Sequence, residues 1–185
     1  YFILGAFSSC ILLYGISMIY GYTGTTNFFE IAKFLHEHKN PSPGLVLGMV
    51  FLLISICFKL SAAPFHMWAP DVYQGAPTIV TAFFSILPKA TFVLVVIHML
   101  NSVFKDALIT WEQILLVAGV LSCFVSAFGA IRQNDFKRLL AYGAIGHIGY
   151  ILVVIGLGNA DGVRAALIYL LIYVTMSFGI FALLL

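Results

Sequence analysis

The chain has 185 residues, 62% of them hydrophobic and only 9% charged, with a net charge of +2. Soluble domains carry about 25% charged residues, so a chain this apolar cannot cover itself with polar surface, and its solvent must be lipid. No basic cluster is large enough for nucleic acid, and Cys10, Cys57 and Cys123 each lie inside an apolar run without metal-ligand spacing, where they read as packing residues. The expected fold class is all-α, a polytopic transmembrane bundle of about six helices. Both ends lie inside apolar runs, so the chain reads as an internal piece of a longer protein.

A helix needs about 20 apolar residues to cross the hydrocarbon layer. The first candidate span is 1–21. A polar stretch follows, in which Asn27 with Glu30 three positions on signals a helix start. Phe28, Ile31, Phe34 and Leu35 then share one face, as in an amphipathic helix lying on the membrane surface over 27–39, stopped by Pro41 and Pro43. The second span begins at Leu45, is apolar to Leu60 and finishes near residue 66, in a stretch interrupted by Pro64 and Pro70. The remaining spans are 78–100, with Pro88 near its middle, 113–131, 139–157 and 163–185. Short loops between the later spans make neighbouring helices antiparallel. One side of the membrane then receives Lys33, Lys39, Lys105 and Arg164, the other Arg132, Lys137 and Arg138. The denser second cluster assigns that side to the cytoplasm or matrix.

Two charges sit where charges are costly. At 1.5 Å per residue, Lys59 is roughly 21 Å into its span and Lys89 roughly 17 Å into the next, which runs the opposite way. Both therefore fall in the middle of the membrane, where a lysine costs about 2.5 kcal/mol or more. Snorkelling to the interface is the alternative, and it suits Lys59, beside a helix end, better than Lys89. Burial disfavours a charged ammonium, so a lysine there can accept and release protons. The proline breaks point the same way. Pro88 removes a backbone hydrogen bond beside Lys89, the Pro64–Pro70 segment frees more, and broken helices beside buried charges are a transporter signature. His147 is a third polar group at depth, either a proton-transfer group or a plain helix–helix hydrogen bonder. Gly143, Gly146 and Gly149 recur every third residue around it and would admit another helix. Tyr142, Tyr150 and Tyr173 could extend a hydrogen-bonded chain. His66 could relay protons to the aqueous side, whereas His98, His36 and His38 read as interfacial or loop residues. Asp71 either pairs with a lysine or caps a turn.

Phe58 through Pro77, with its core Lys59-Leu60-Ser61-Ala62-Ala63-Pro64-Phe65-His66, resembles the signature of the antiporter-like membrane subunits of respiratory complex I, the proton-pumping NADH:quinone oxidoreductase. Val72-Tyr73-Gln74-Gly75-Ala76-Pro77 is most similar to the branch called subunit N or subunit 2. Asp135-Phe136-Lys137-Arg138-Leu139-Leu140-Ala141-Tyr142, followed by Gly146-His147-Ile148-Gly149-Tyr150, resembles the next marked stretch of that family. The resemblance implies a bundle of about fourteen helices with two inverted repeats and broken helices, of which this chain holds helices six to eleven. Lys59 would match a helix-seven lysine that pairs with a glutamate outside this piece, Lys89 the central lysine of helix eight, and His147 a histidine of the hydrophilic axis on helix ten. It further implies proton translocation through Lys59, Lys89 and His147, with Pro64, His66, Pro88, Asp71, Tyr142 and Tyr150 supporting. No cofactor belongs on this chain; NADH, FMN, iron–sulfur clusters and quinone belong to other subunits. The implied partners are neighbouring membrane subunits and the lipid bilayer, and the implied location is the bacterial inner membrane, with the mitochondrial inner membrane or thylakoid as alternatives. A subunit of a multisubunit cation/proton antiporter shares the same lysines, and a membrane scaffold without transport is a third reading.

Overall fold

The computed structural model describes residues 1–38 and 42–185, so the expectations for Lys39 and Pro41 lie outside the described residues. The chain folds as α1 (Phe2–Thr23), α2 (Phe28–Glu37), α3 (Pro43–Leu60), α4 (Trp68–Gly75), α5 (Thr78–His98), α6 (Leu108–Ile131), α7 (Phe136–Ile155) and α8 (Ala160–Leu184). A π-helical turn, Met99–Val103, prolongs α5, and a 3₁₀ turn, Lys105–Ala107, leads into α6. With those turns included, six helices among the described residues are long and apolar enough to cross a membrane. The fold is an all-α bundle.

Four helix starts follow from side-chain caps: Ser42 Oγ accepts from Leu45 N at the start of α3, and three more are carboxamide or carboxylate caps. Asn27 Oδ1 accepts from Phe29 N, Asp135 Oδ1 from Arg138 N, and Asn159 Oδ1 from Gly162 N, each satisfying one of the first-turn amides that a helix leaves unpaired. Glu30 does not close a reciprocal capping box, because its carboxylate accepts instead from the Thr25 hydroxyl. The amphipathic stretch does form α2. Its Ile31 and Leu35 are buried, and the helix packs on the π-helical turn at the end of α5; Phe28 remains largely exposed.

Two close crossings organise the bundle. Where α1 meets α3, a Cβ on Gly15 would lie 2.9 Å from the Gly48 carbonyl oxygen; where α6 meets α7, one on Gly149 would lie 2.9 Å from that of Gly119. Only glycine lets backbones approach so nearly, and small residues at crossings are how helices associate in lipid. α5 packs against α3, α4, α7 and α8, and α7 in turn against α4, α5, α6 and α8.

The second span stops at Leu60, short of residue 66. Ser61 closes α3 in the left-handed conformation at φ 61°, and the Pro64–Pro70 segment turns into α4. Pro88, by contrast, does not break its helix: α5 is continuous from Thr78 to His98. The proline has no N–H to give the Phe84 carbonyl, but the turns on either side hold the helical path. The fourth membrane helix starts at Leu108 rather than Gln113, taking Glu112 into its second turn.

Candidate functional site

A chain that interrupts a helix at membrane depth must find partners for the freed backbone groups. Here Trp68 Nε1 donates to the Phe58 carbonyl at 2.9 Å, and its ring stacks on Phe58 with centroids 5.7 Å apart. The Ala63 amide donates to Ser122 Oγ at 2.8 Å, and that hydroxyl donates to Ala118 O at 2.6 Å. The break is thus stitched to α6. Lys59 occupies the last turn of α3, half-buried, with its ammonium 5.7 Å from the centre of the Phe92 ring. Phe92 is about 21 Å along α5 from Thr78. α3 therefore ends inside the bundle rather than at its surface, and the turn and α4 occupy the remaining depth.

Lys89 is 1% exposed, and its amine has no hydrogen-bond partner among the described residues. The nitrogen lies 5.6 Å from the centre of the Tyr73 ring, itself fully buried on α4. One turn earlier on α5, Ser85 meets α8: the Tyr173 hydroxyl donates to the Ser85 carbonyl at 2.9 Å and lies 3.0 Å from its Oγ. The Tyr173 ring is 5.1 Å from the His147 imidazole on α7, and His147 Nδ1 shares a 2.8 Å hydrogen bond with the Tyr169 hydroxyl. A cavity of about 270 Å³ opens against Ser85, Gly143, His147, Tyr173 and Ser177. Lys89, Ser85, Tyr173, His147 and Tyr169 thus form a polar seam from the centre of α5 to α8 and α7.

The other expected residues lie elsewhere. His66 sits in the turn between α3 and α4 with its Nδ1 buried and without a partner among the described residues, and it shares no hydrogen bond with Lys59, Lys89 or His147. Pro64 is exposed in the same turn. Asp71 pairs with neither lysine; its Oδ1 is 3.1 Å from Arg138 Nη1 at the start of α7. Tyr142 packs over Gly129 on α6, away from the seam, and Tyr150 is 55% exposed with its ring 6.0 Å from that of Tyr169. Gly146 and Gly149 face α6, but a Cβ on Gly143 would meet nothing within 4 Å. Gly143 leaves room in the cavity beside His147 instead of admitting a helix. Among the described residues, no carboxylate pairs with Lys59 or Lys89.

Sequence reasoning singled out Tyr173 but not Tyr169, Ser85 or Tyr73. The helical period could have found two of these, since Ser85 precedes Lys89 by one turn and Tyr169 precedes Tyr173 by one turn on the same face. Nothing local marks Tyr73, which reaches Lys89 from a different helix.

All of residues 1–185 match the family described as NADH:quinone oxidoreductase/Mrp antiporter, TM. The chain belongs to this family. It is an integral membrane protein. A curated relative within this antiporter family, NADH-quinone oxidoreductase subunit N of Wolbachia sp. subsp. Brugia malayi, is 52% identical over 186 residues, covering 98% of this chain and 39% of the relative. Respiratory complex I from Thermus thermophilus contains a chain that superposes with a TM-score of 0.79 at 34% identity, over all of this chain and 38% of that one. The Mrp complex from Dietzia sp. DQ12-45-1b superposes with a TM-score of 0.87 at 25% identity, over 98% of this chain and 33% of that one. The chain thus spans about two fifths of the length of the curated relative it matches.

Proposed function

We propose that this chain is the middle part of a proton-translocating membrane subunit of an NADH:quinone oxidoreductase, of the subunit N branch. The observation that carries the proposal is Lys89, a fully enclosed amine without a hydrogen-bond partner among the described residues, on α5 and in a polar seam that reaches His147. A lysine enclosed at membrane depth is costly, and such groups mark ion pathways and proton relays. In this reading Lys59 and Lys89 change protonation in turn, and His147 with Tyr169 and Tyr173 passes protons onward. Quinone reduction on other subunits, which hold NADH, FMN and iron–sulfur clusters, drives the cycle through electrostatic changes along the row of buried charges. The partners are neighbouring membrane subunits and the surrounding lipid. The membrane is the bacterial inner membrane, in keeping with the bacterial relative at 52% identity.

A second reading, a subunit of a multisubunit cation/proton antiporter, draws on the higher TM-score with the Mrp complex. Backbone likeness does not decide between functions that share a fold. The greater sequence identity to the complex I chains supports the first reading.

The test is Lys89→Met in the full-length subunit within its complex, with NADH oxidation and proton uptake measured together in sealed membrane vesicles and assembly followed by native gel. Loss of proton uptake at normal assembly is the expected result. Unchanged uptake would remove Lys89 from the path and favour a non-transporting scaffold.

A further inference from the structure

The two sequence stretches that carry the family resemblance meet in space. Arg138, in the first turn of α7, places Nη1 at 3.1 Å from Asp71 Oδ1 and at 3.1 Å from Gln74 Oε1, both on α4. Lys137 Nζ donates to the Ala76 carbonyl at 3.0 Å, just past the end of α4. Gln74 Nε2 donates to Asp135 Oδ2 at 3.5 Å, and the other oxygen of the same carboxylate caps α7 through the Arg138 amide. Four polar links thus tie one eight-residue helix to the start of another more than sixty residues later in the chain.

Stability does not account for the cluster. The Asp71 carboxylate is 72% exposed and the Arg138 side chain 34%, and ion pairs so open to solvent contribute little. What the links set is position. A helix of eight residues is well below the length that holds itself together, so the seat of α4 comes from its contacts. On its buried side α4 carries Tyr73, whose ring is the face on which the Lys89 amine rests, and whose carbonyl accepts from Thr81 Oγ1 on α5 at 3.1 Å. The titratable groups around Lys89 on the packed helices are Tyr73 on α4, Tyr173 on α8 at Ser85 one turn away, and His147 on α7 against Tyr173, with Lys59 of α3 one turn along α5 over Phe92. Of these, Tyr73 alone sits on an element shorter than a membrane span, seated by its buried face, by Trp68 and Thr81, and by the clamp.

We propose that Arg138 and Lys137 are positioning residues for Lys89, locking α4 so that the Tyr73 ring stays against the Lys89 amine. The proposal rests on the reading of Lys89 as a proton-carrying group.

The test uses the full-length subunit in its assembled complex in sealed vesicles, with proton uptake per NADH oxidised recorded across pH and normalised to assembled complex. Arg138→Ala and Lys137→Met are each expected to lower uptake several-fold and to move its pH profile by about half a unit or more. A structural role alone would reduce the amount of complex without moving the profile. The exchange Asp71→Arg with Arg138→Asp is expected to restore both readouts. An unmoved profile in the single variants, or a loss that the exchange does not repair, overturns the proposal. If the single variants do not assemble, Gln74→Leu decides: it removes two of the four links and no charge, so a shifted profile supports the clamp and an unmoved one rejects it. Lys89→Met is measured alongside. If it leaves uptake intact, the reading of Lys89 fails and the clamp proposal with it. If it abolishes uptake while the clamp variants behave as the parent does, only the clamp proposal fails.

Discussion

Replacing Lys89 by Met keeps most of the length of the side chain and removes its amine. Because that amine has no hydrogen-bond partner among the residues around it, the substitution breaks no hydrogen bond or ion pair, and exchanging buried charge for apolar volume is often neutral or stabilising. Lys89→Met is therefore expected to leave the thermal unfolding midpoint of the purified complex unchanged or raised while proton uptake is lost, which separates the role of the residue from its packing. His147 makes the complementary case. Among the described residues its imidazole hydrogen-bonds only Tyr169, at 2.8 Å, so Tyr169→Phe should free the imidazole at a cost of about 1 kcal/mol. The expected outcome is a several-fold fall in proton uptake at near-normal stability. Tyr150→Phe, which alters an exposed hydroxyl, should match the parent in the same assay. Lys59, Lys89 and His147 were all legible in the sequence, because a charge or imidazole inside an apolar run announces itself by cost. Tyr169 was not, because a tyrosine in a membrane helix is as much at home at the interface as beside a histidine.

Helices pack here by near contact of backbones, and the crossing glycines should respond unequally to substitution. At Gly149 a side chain would be driven into the Gly119 carbonyl and the Ser122 side chain. Gly149→Val should cost about 1–3 kcal/mol, as overpacking does, seen as a lowered unfolding midpoint in detergent. Gly143→Ala, which meets no atom within 4 Å, should unfold at the parent temperature. The regular spacing of the two positions suggests one role for both, whereas the structure separates them. A helix turns 100° per residue, so glycines three apart drift around its axis, and Gly143 ends up facing the cavity beside His147. The two proline sites divide in the same way. Around Pro64 the chain leaves the helix and finds Ser122 and Trp68 as partners for its freed groups, while Pro88 lies within an uninterrupted α5. Proline composition marks both sites equally, and the partners offered by neighbouring helices decide which one opens.

Across the whole molecule, the alternation of six spans puts α4 and the α6–α7 connection at one end of the bundle and α2, the π-helical turn and the α7–α8 connection at the other. In the full-length subunit, with Cys10, Cys57 and Cys123 replaced by Ala, single cysteines introduced at Asn134 and at Lys33 should therefore be labelled by an impermeant maleimide from opposite sides of the membrane. Labelling of both from the same side would contradict the topology. The exposed apolar surface of the outer helices, Phe2, Ile109, Phe128 and Leu171 among them, is what a lipid-facing or helix-facing exterior requires.

The sequence by itself determined the solvent, the class and the number of spans, because each depends on composition and on the length of apolar runs, which are local quantities. It also marked Lys59, Lys89 and His147, whose desolvation is costly wherever the neighbours lie. Only the tertiary structure decided what those groups meet: Tyr73 against Lys89, Tyr169 on His147, and Arg138 rather than a lysine on Asp71. Those pairings join helices distant in the chain, and side-chain contact depends on the rotation and crossing of helices that apolar periodicity leaves free when every face of a span is apolar.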